Sequence, residues 1–154
     1  MNPDEMITEL KLALPPVPKA AGLYKPVLMQ GDLVYFSGHL PILSDGSMIT
    51  GRVGTELSIE EGAAAARQVG LSVLSSLKEK LGSLNQISRL VKLLGMVNAP
   101  SSFSEHPKVI NGCSELFREI WGEDLGVGVR SAFGVSGLPG NASVEIEGIF
   151  QLAQ

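Results

Sequence analysis

The feature that most constrains this chain is one long helical stripe between residues 58 and 82. Ser58-Ile59-Glu60-Glu61 has the S-x-x-E form of a capping box, in which two side chains satisfy N–H groups left without helical partners. Behind it, Ile59, Ala63, Ala66, Gly70, Val73, Leu77 and Leu81 recur at steps of three and four, and Gly82 supplies a stop. A helix that is apolar along one stripe has to bury it against another layer. The alanines at positions 63 to 66 predict a close approach to a sheet.

Strands for that sheet can be read on both sides of the helix. Gln30-Gly31-Asp32 is a tight turn between short strands at 26–29 and 33–37. Turns at 44–47 and 51–54 extend the first third into a β-meander. Residues 89–98 (RLVKLLGMVN) are short, apolar and bounded by turn residues, which predicts a buried strand. Ser104-Glu105-His106-Pro107 then reads as an N-cap with proline in the first turn. The stripe Val109, Cys113, Leu116, Phe117 and Ile120 marks a second helix, ended by Gly122. Residues 127–136 and 143–152 are the last strands, with Leu138-Pro139-Gly140-Asn141 as a hairpin loop between them. In the final strand Val144, Ile146, Gly148 and Phe150 alternate with Glu145, Glu147, Ile149 and Gln151, so the two sets face opposite sides.

The predicted order is β-β-(β)-α-β-α-β-β in an α+β domain, with two helices on one face of a mixed sheet. At 154 residues a single domain spanning 1–154 is expected. Residues 1–17 are read as an extended leader, because Pro15, Pro16 and Pro18 fix φ and remove donors. Two helices cover only one sheet face, while Phe36, Leu94, Met96 and Phe133 are assigned to the other. That surplus predicts a homo-oligomer.

Composition closes off several function classes. Apolar residues are 44% and charged residues 18% of the chain, a globular balance. A net charge of −4 argues against a general nucleic-acid binder. No apolar run is long enough to span a membrane. The acidic start MNPDEMITELKLALPP lacks the lysines and apolar core of a secretory signal, so a cytoplasmic protein is expected. Cys113 is the only cysteine, which excludes an intrachain disulfide and a cysteine-built zinc site. His39 and His106 are the only histidines, and no ligand-like spacing accompanies them. No metal or organic cofactor is expected.

The segment RSAFGVSGLPGNASVEIE, residues 130–147, resembles the C-terminal signature of the reactive intermediate deaminase (YjgF-like) family. That signature is an arginine at the end of a strand, then an LP turn, then a V/I-E-I-E strand. Tyr24 after Ala20-Ala21-Gly22 resembles the family's N-terminal tyrosine region, and Ser37-Gly38 with Pro41 resembles its S-G-Q-x-P turn. Asn111 stands where the family tends to have an asparagine. The resemblance covers about residues 18–152. It implies a chorismate-mutase-like fold, a trimer with sites between subunits, and hydrolysis of reactive enamines and imines (the 2-iminobutanoate and 2-iminopropanoate type) to 2-keto acids and ammonia. Some members carry an endoribonuclease label.

Imine hydrolysis requires a grip on the substrate carboxylate, which a guanidinium supplies with two parallel hydrogen bonds. Arg130 is the candidate for that grip. Glu145 is the candidate to orient or deprotonate the attacking water, provided its surroundings raise its pKa. The resemblance adds Tyr24, Ser37, Asn111 and Ala132 as substrate-binding positions. Glu147 is read as structural and Cys113 as inert core. Two positions past the arginine many members have a cysteine. Here Ala132 stands there, leaving a backbone N–H but a changed pocket. The lead-in Gly22-Leu23-Tyr24-Lys25-Pro26 also differs from the family's commoner glycine-proline-tyrosine pattern, and this, with the longer loop around residues 121–128, suggests a divergent branch. The alternative is a non-catalytic protein that binds a small carboxylate or has a regulatory role. An RNA-cleaving enzyme fits the acidic charge poorly.

Overall fold

The computed structural model describes residues 1–154. Its elements are α1 (Pro3–Glu9), β1 (Val27–Gln30), β2 (Leu33–His39), α2 (Ile59–Leu81), β3 (Ile87–Asn98), α3 (His106–Leu125), β4 (Val129–Val135) and β5 (Val144–Leu152). The five strands form one sheet in the order β1-β2-β5-β3-β4. All neighbours are antiparallel except β3 and β4, which run parallel through the α3 crossover. The architecture is α+β, with α2 and α3 side by side on one face.

The capping box at Ser58 forms as predicted: its side chain accepts from the Glu61 N–H, and the Glu61 carboxylate accepts from the Ser58 N–H. Gly82, at φ 83°, ends α2. Val34, Phe36, Leu90, Leu93, Val144, Ile146 and Phe150 bury the sheet's inner face against Val69, Val73, Leu77, Leu116 and Phe117. The two helices run parallel, since Gly62 meets Val109, Ala63 meets Gly112, and Gly70 meets Leu116. The early alanines of α2 therefore serve the contact with α3 as well as the sheet.

Four expectations need correction. Residues 136–143 do not close a hairpin, because β3 lies between β4 and β5. The segment crosses the end of β3, where the Asn98 amide donates to Asn141 Oδ1 and to the Ala142 carbonyl, each at 3.1 Å. Local turn chemistry cannot report which strand a neighbour pairs with. Phe36 is on the inner face, buried against Phe150, while Leu94, Met96 and Phe133 do face the other way. The first third is one hairpin with isolated bridges rather than a longer meander. The leader is not extended throughout: Asn2 and Glu5 form a capping box at the start of α1. Ile7 is buried, Leu10, Leu12 and Leu14 pack on the core, and Ser75 donates to the Pro15 carbonyl. This cover explains why α2 is buried on all sides from Val69 to Leu77.

No helix is long and apolar enough to cross a membrane.

Candidate functional site

The predicted site residues fall into two groups, on opposite faces of the sheet. Arg130 is the second residue of the edge strand β4 and is paired in register with buried Leu93, so its side chain projects on the helix side. Its Nη1 donates to Asn111 Oδ1 at 2.8 Å and to Ser114 Oγ at 3.1 Å. Asn111 and Ser114 stand on successive turns of α3, three residues apart and therefore on one face. Two neutral acceptors aim the guanidinium without neutralising it, and no ion pair engages Arg130. Ala132 follows on the same face of β4, partly packed against the core.

Arg130, Asn111 and Ser114 border a cavity of about 360 Å³ lined also by Leu90, Glu115, Arg118 and residues 126–128, which Ala132 does not reach. Glycine is required there. A Cβ on Gly128 would meet the Val91 carbonyl oxygen, and one on Gly126 would meet that of Phe117. Gly122, at φ 91°, breaks the regular helix and turns the chain toward this loop, so the expected stop is a kink followed by one more turn.

The second group gathers where β2 is irregular. The β2–β5 register shifts between Phe36 and His39, a bulge that re-aims Ser37 and Gly38. Glu145 is paired with Met96, three residues from Leu93, so it faces away from Arg130's side. Its carboxylate packs directly on the Cα of Gly38, in space that any Cβ would occupy. Burial, and then the like charge of Glu147, hold the Glu145 proton above the ordinary glutamate range. Ser37 donates to the Lys25 carbonyl. Tyr24 accepts from the Ala21 N–H at 3.2 Å and shares a cavity of about 290 Å³ with Gly38 and His39. Glu147 lines a separate hollow on the open face with Lys25, Tyr35 and Ser37.

His39, Ser114 and Arg118 were not singled out from sequence as site residues. His39 is buried. Its Nδ1 donates to the Ser37 carbonyl at 2.6 Å, so Nε2 accepts from the Ser76 hydroxyl at 2.8 Å. Burial lowers its pKa, keeping the ring neutral and the bulge pinned to α2. Ser114 and Arg118 follow Asn111 at i+3 and i+7, a spacing visible in the sequence once Asn111 is chosen. No group of three or more His, Cys, Asp or Glu side chains gathers at metal-binding spacing. Cys113 is fully buried, which pushes its thiol pKa far upward.

Within one chain the two groups stay apart. β2 and β4 are separated by two strands, about 14 Å at the usual strand spacing, and the carboxylate and guanidinium project from opposite faces. Arg130 and Asn111 are brought together; Tyr24, Ser37 and Glu145 form a second neighbourhood.

The family described as "YjgF/chorismate_mutase-like, putative endoribonuclease" matches residues 5–146 of this chain. Protein TCP17 of Trypanosoma cruzi is 37% identical over 95% of this chain and 91% of its own length. A protein of unknown function from Agrobacterium tumefaciens, Atu1372, is 35% identical, with a TM-score of 0.87 over 98% of this chain and 94% of that one. A Shewanella oneidensis MR-1 protein with the same endoribonuclease designation is 31% identical, with a TM-score of 0.93 over 99% and 100%. RidA from Psychrobacter sp. PAMC 21119 lies farther away, at 26% identity and a TM-score of 0.61 over 88% and 93%. The backbone is thus closer to the first two structures than to RidA.

Proposed function

The chain belongs to the YjgF/chorismate mutase-like family, and on that premise we propose that it is an imine hydrolase, converting small 2-imino or enamino acids to 2-keto acids and ammonia. The observation that carries this reading is the Arg130 guanidinium, oriented by Asn111 and Ser114 yet free of any carboxylate partner. A charge held this way suits a substrate carboxylate, to which it can donate two parallel hydrogen bonds. Glu145, with its raised pKa, is the general base. It takes a proton from water as the oxygen adds to the imine carbon, and the nitrogen gains a proton. Collapse of the carbinolamine to the ketone then expels ammonia. Water and substrate balance the reaction without an oxidant or cofactor.

The two half-sites imply that a second copy completes the centre. One copy supplies Arg130, Asn111 and the Ala132 edge, and its neighbour supplies Tyr24, Ser37 and Glu145. A homotrimer satisfies this arrangement and also covers the open face. RidA supports the deaminase reading by name, and the endoribonuclease designation of other relatives names the competitor.

The test is ammonia and keto-acid release from dehydratase-generated 2-aminoacrylate and 2-iminobutanoate. Wild type is expected to accelerate release over buffer. Arg130→Ala should lose on the order of a hundredfold or more in kcat/KM, about 3 kcal/mol of charged hydrogen bonding. No acceleration with any enamine, alongside binding of 2-keto acids by calorimetry, would instead establish the non-catalytic carboxylate-binding reading.

A further inference from the structure

The cavity beside Arg130 carries a second cation that the proposed reaction does not use. Asn111, Ser114, Glu115 and Arg118 occupy positions i, i+3, i+4 and i+7 of α3, a single stripe. All four line the same cavity as Arg130. Since Arg130 is bonded to Asn111 and Ser114, its guanidinium lies against the first two turns of that stripe. Arg118 stands one turn farther on, about 5.4 Å along the axis. Its only ionic neighbour is Glu123, at a long 3.7 Å and well exposed, a pair worth little in water.

We infer that this site takes a dicarboxylate of four or five carbons, the 2-imino diacid rather than the monoacid, with Arg118 holding the distal carboxylate. The inference rests on the imine-hydrolase reading for the role of Arg130 alone. Two separations agree. Three or four C–C bonds of about 1.5 Å place the carboxylate carbons of such a diacid about 4–5 Å apart, close to the one-turn step from Ser114, which holds the Arg130 guanidinium, to Arg118. The charges also agree. Two guanidiniums and the Glu115 carboxylate leave the wall with one net positive charge, and an iminium diacid carries one net negative charge. Glu115, on the stripe between Ser114 and Arg118, accepts the iminium N–H. The rest of the wall is Leu90, Leu93 and the segment 126–129, so Arg118 and Glu115 are the charged groups that join Arg130 around the cavity.

The probes are 2-oxoglutarate and 2-oxobutanoate, titrated into the full-length protein by calorimetry at fixed ionic strength. Wild type is expected to bind 2-oxoglutarate about tenfold more tightly or better. Arg118→Gln should collapse that ratio toward one, mostly through weaker 2-oxoglutarate binding. Glu123→Gln, which releases Arg118 from its surface partner, should retain or widen it. Equal affinities in wild type, or a ratio untouched by Arg118→Gln, would overturn the inference while leaving monocarboxylate hydrolysis standing. Failure of both keto acids to bind wild type would overturn the inference, and ammonia release from the enamines would then decide the hydrolase reading separately.

Discussion

Residue-scale chemistry in this protein turns on close contacts that only glycine permits. The Glu145 carboxylate occupies the space beside Gly38 where a Cβ would sit, and His39 fixes the same bulge through Ser37 and Ser76. The raised pKa of Glu145 has a thermodynamic consequence. The folded chain holds this proton more tightly than the unfolded chain, so the residue costs stability as pH rises through the ordinary glutamate range. Below about pH 4 both states are protonated and the cost vanishes. Glu145→Gln is therefore expected to melt above wild type at pH 7, with the difference closing as pH falls to 4. Melting curves at the two pH values check this, and an equal offset at both would contradict it. In activity the same variant should lose the ascending limb of the pH–rate profile, because the ionised base appears only above the raised pKa.

Helix α2 and its packing illustrate how elements are read and misread. Its cap, stripe and stop are local properties, and each was legible because capping and 3.6-residue periodicity act within a few residues. The partner of its early alanines was not. Gly112 of α3 lies directly on the Ala63 carbonyl of α2, closer than any side chain allows. Gly112→Ala should push the parallel helices apart at a cost of about 1–3 kcal/mol, lowering Tm by roughly 2–4 °C per kcal/mol for a chain of this size. Thermal denaturation tests it; an unchanged Tm would mean that the pair can slide freely. The β4–β5 connection was misread because a Pro-Gly-Asn turn looks the same whether it joins neighbouring strands or crosses a third. Phe36 closes the unbroken apolar run Leu33-Val34-Tyr35-Phe36, in which no polar residue marks the solvent side, so its face is not legible from alternation.

At the scale of the whole molecule the dominant fact is an uncovered sheet face. Leu28, Tyr35, Val129 and Phe133 are each at least 40% exposed there, and β4 leaves one edge unpaired. Under the proposed arrangement this surface and the catalytic centre are one problem, solved by association. Phe133→Asp is expected to yield a smaller species by light scattering, folded by circular dichroism, with at least tenfold lower activity. A full-sized assembly with normal activity would separate the open face from the site. The sequence by itself determined the types of the elements β1 to β5, α2 and α3, the mixed α+β layering, the family signature and the presence of apolar surface beyond what two helices cover. These depend on period, capping and composition, which are local. Only the tertiary structure decided that Arg130 and Glu145 face opposite sides, that the leader seals α2, and that Arg118 borders the Arg130 cavity. Each of these depends on strand order and register, which arise from contacts between residues far apart in the chain.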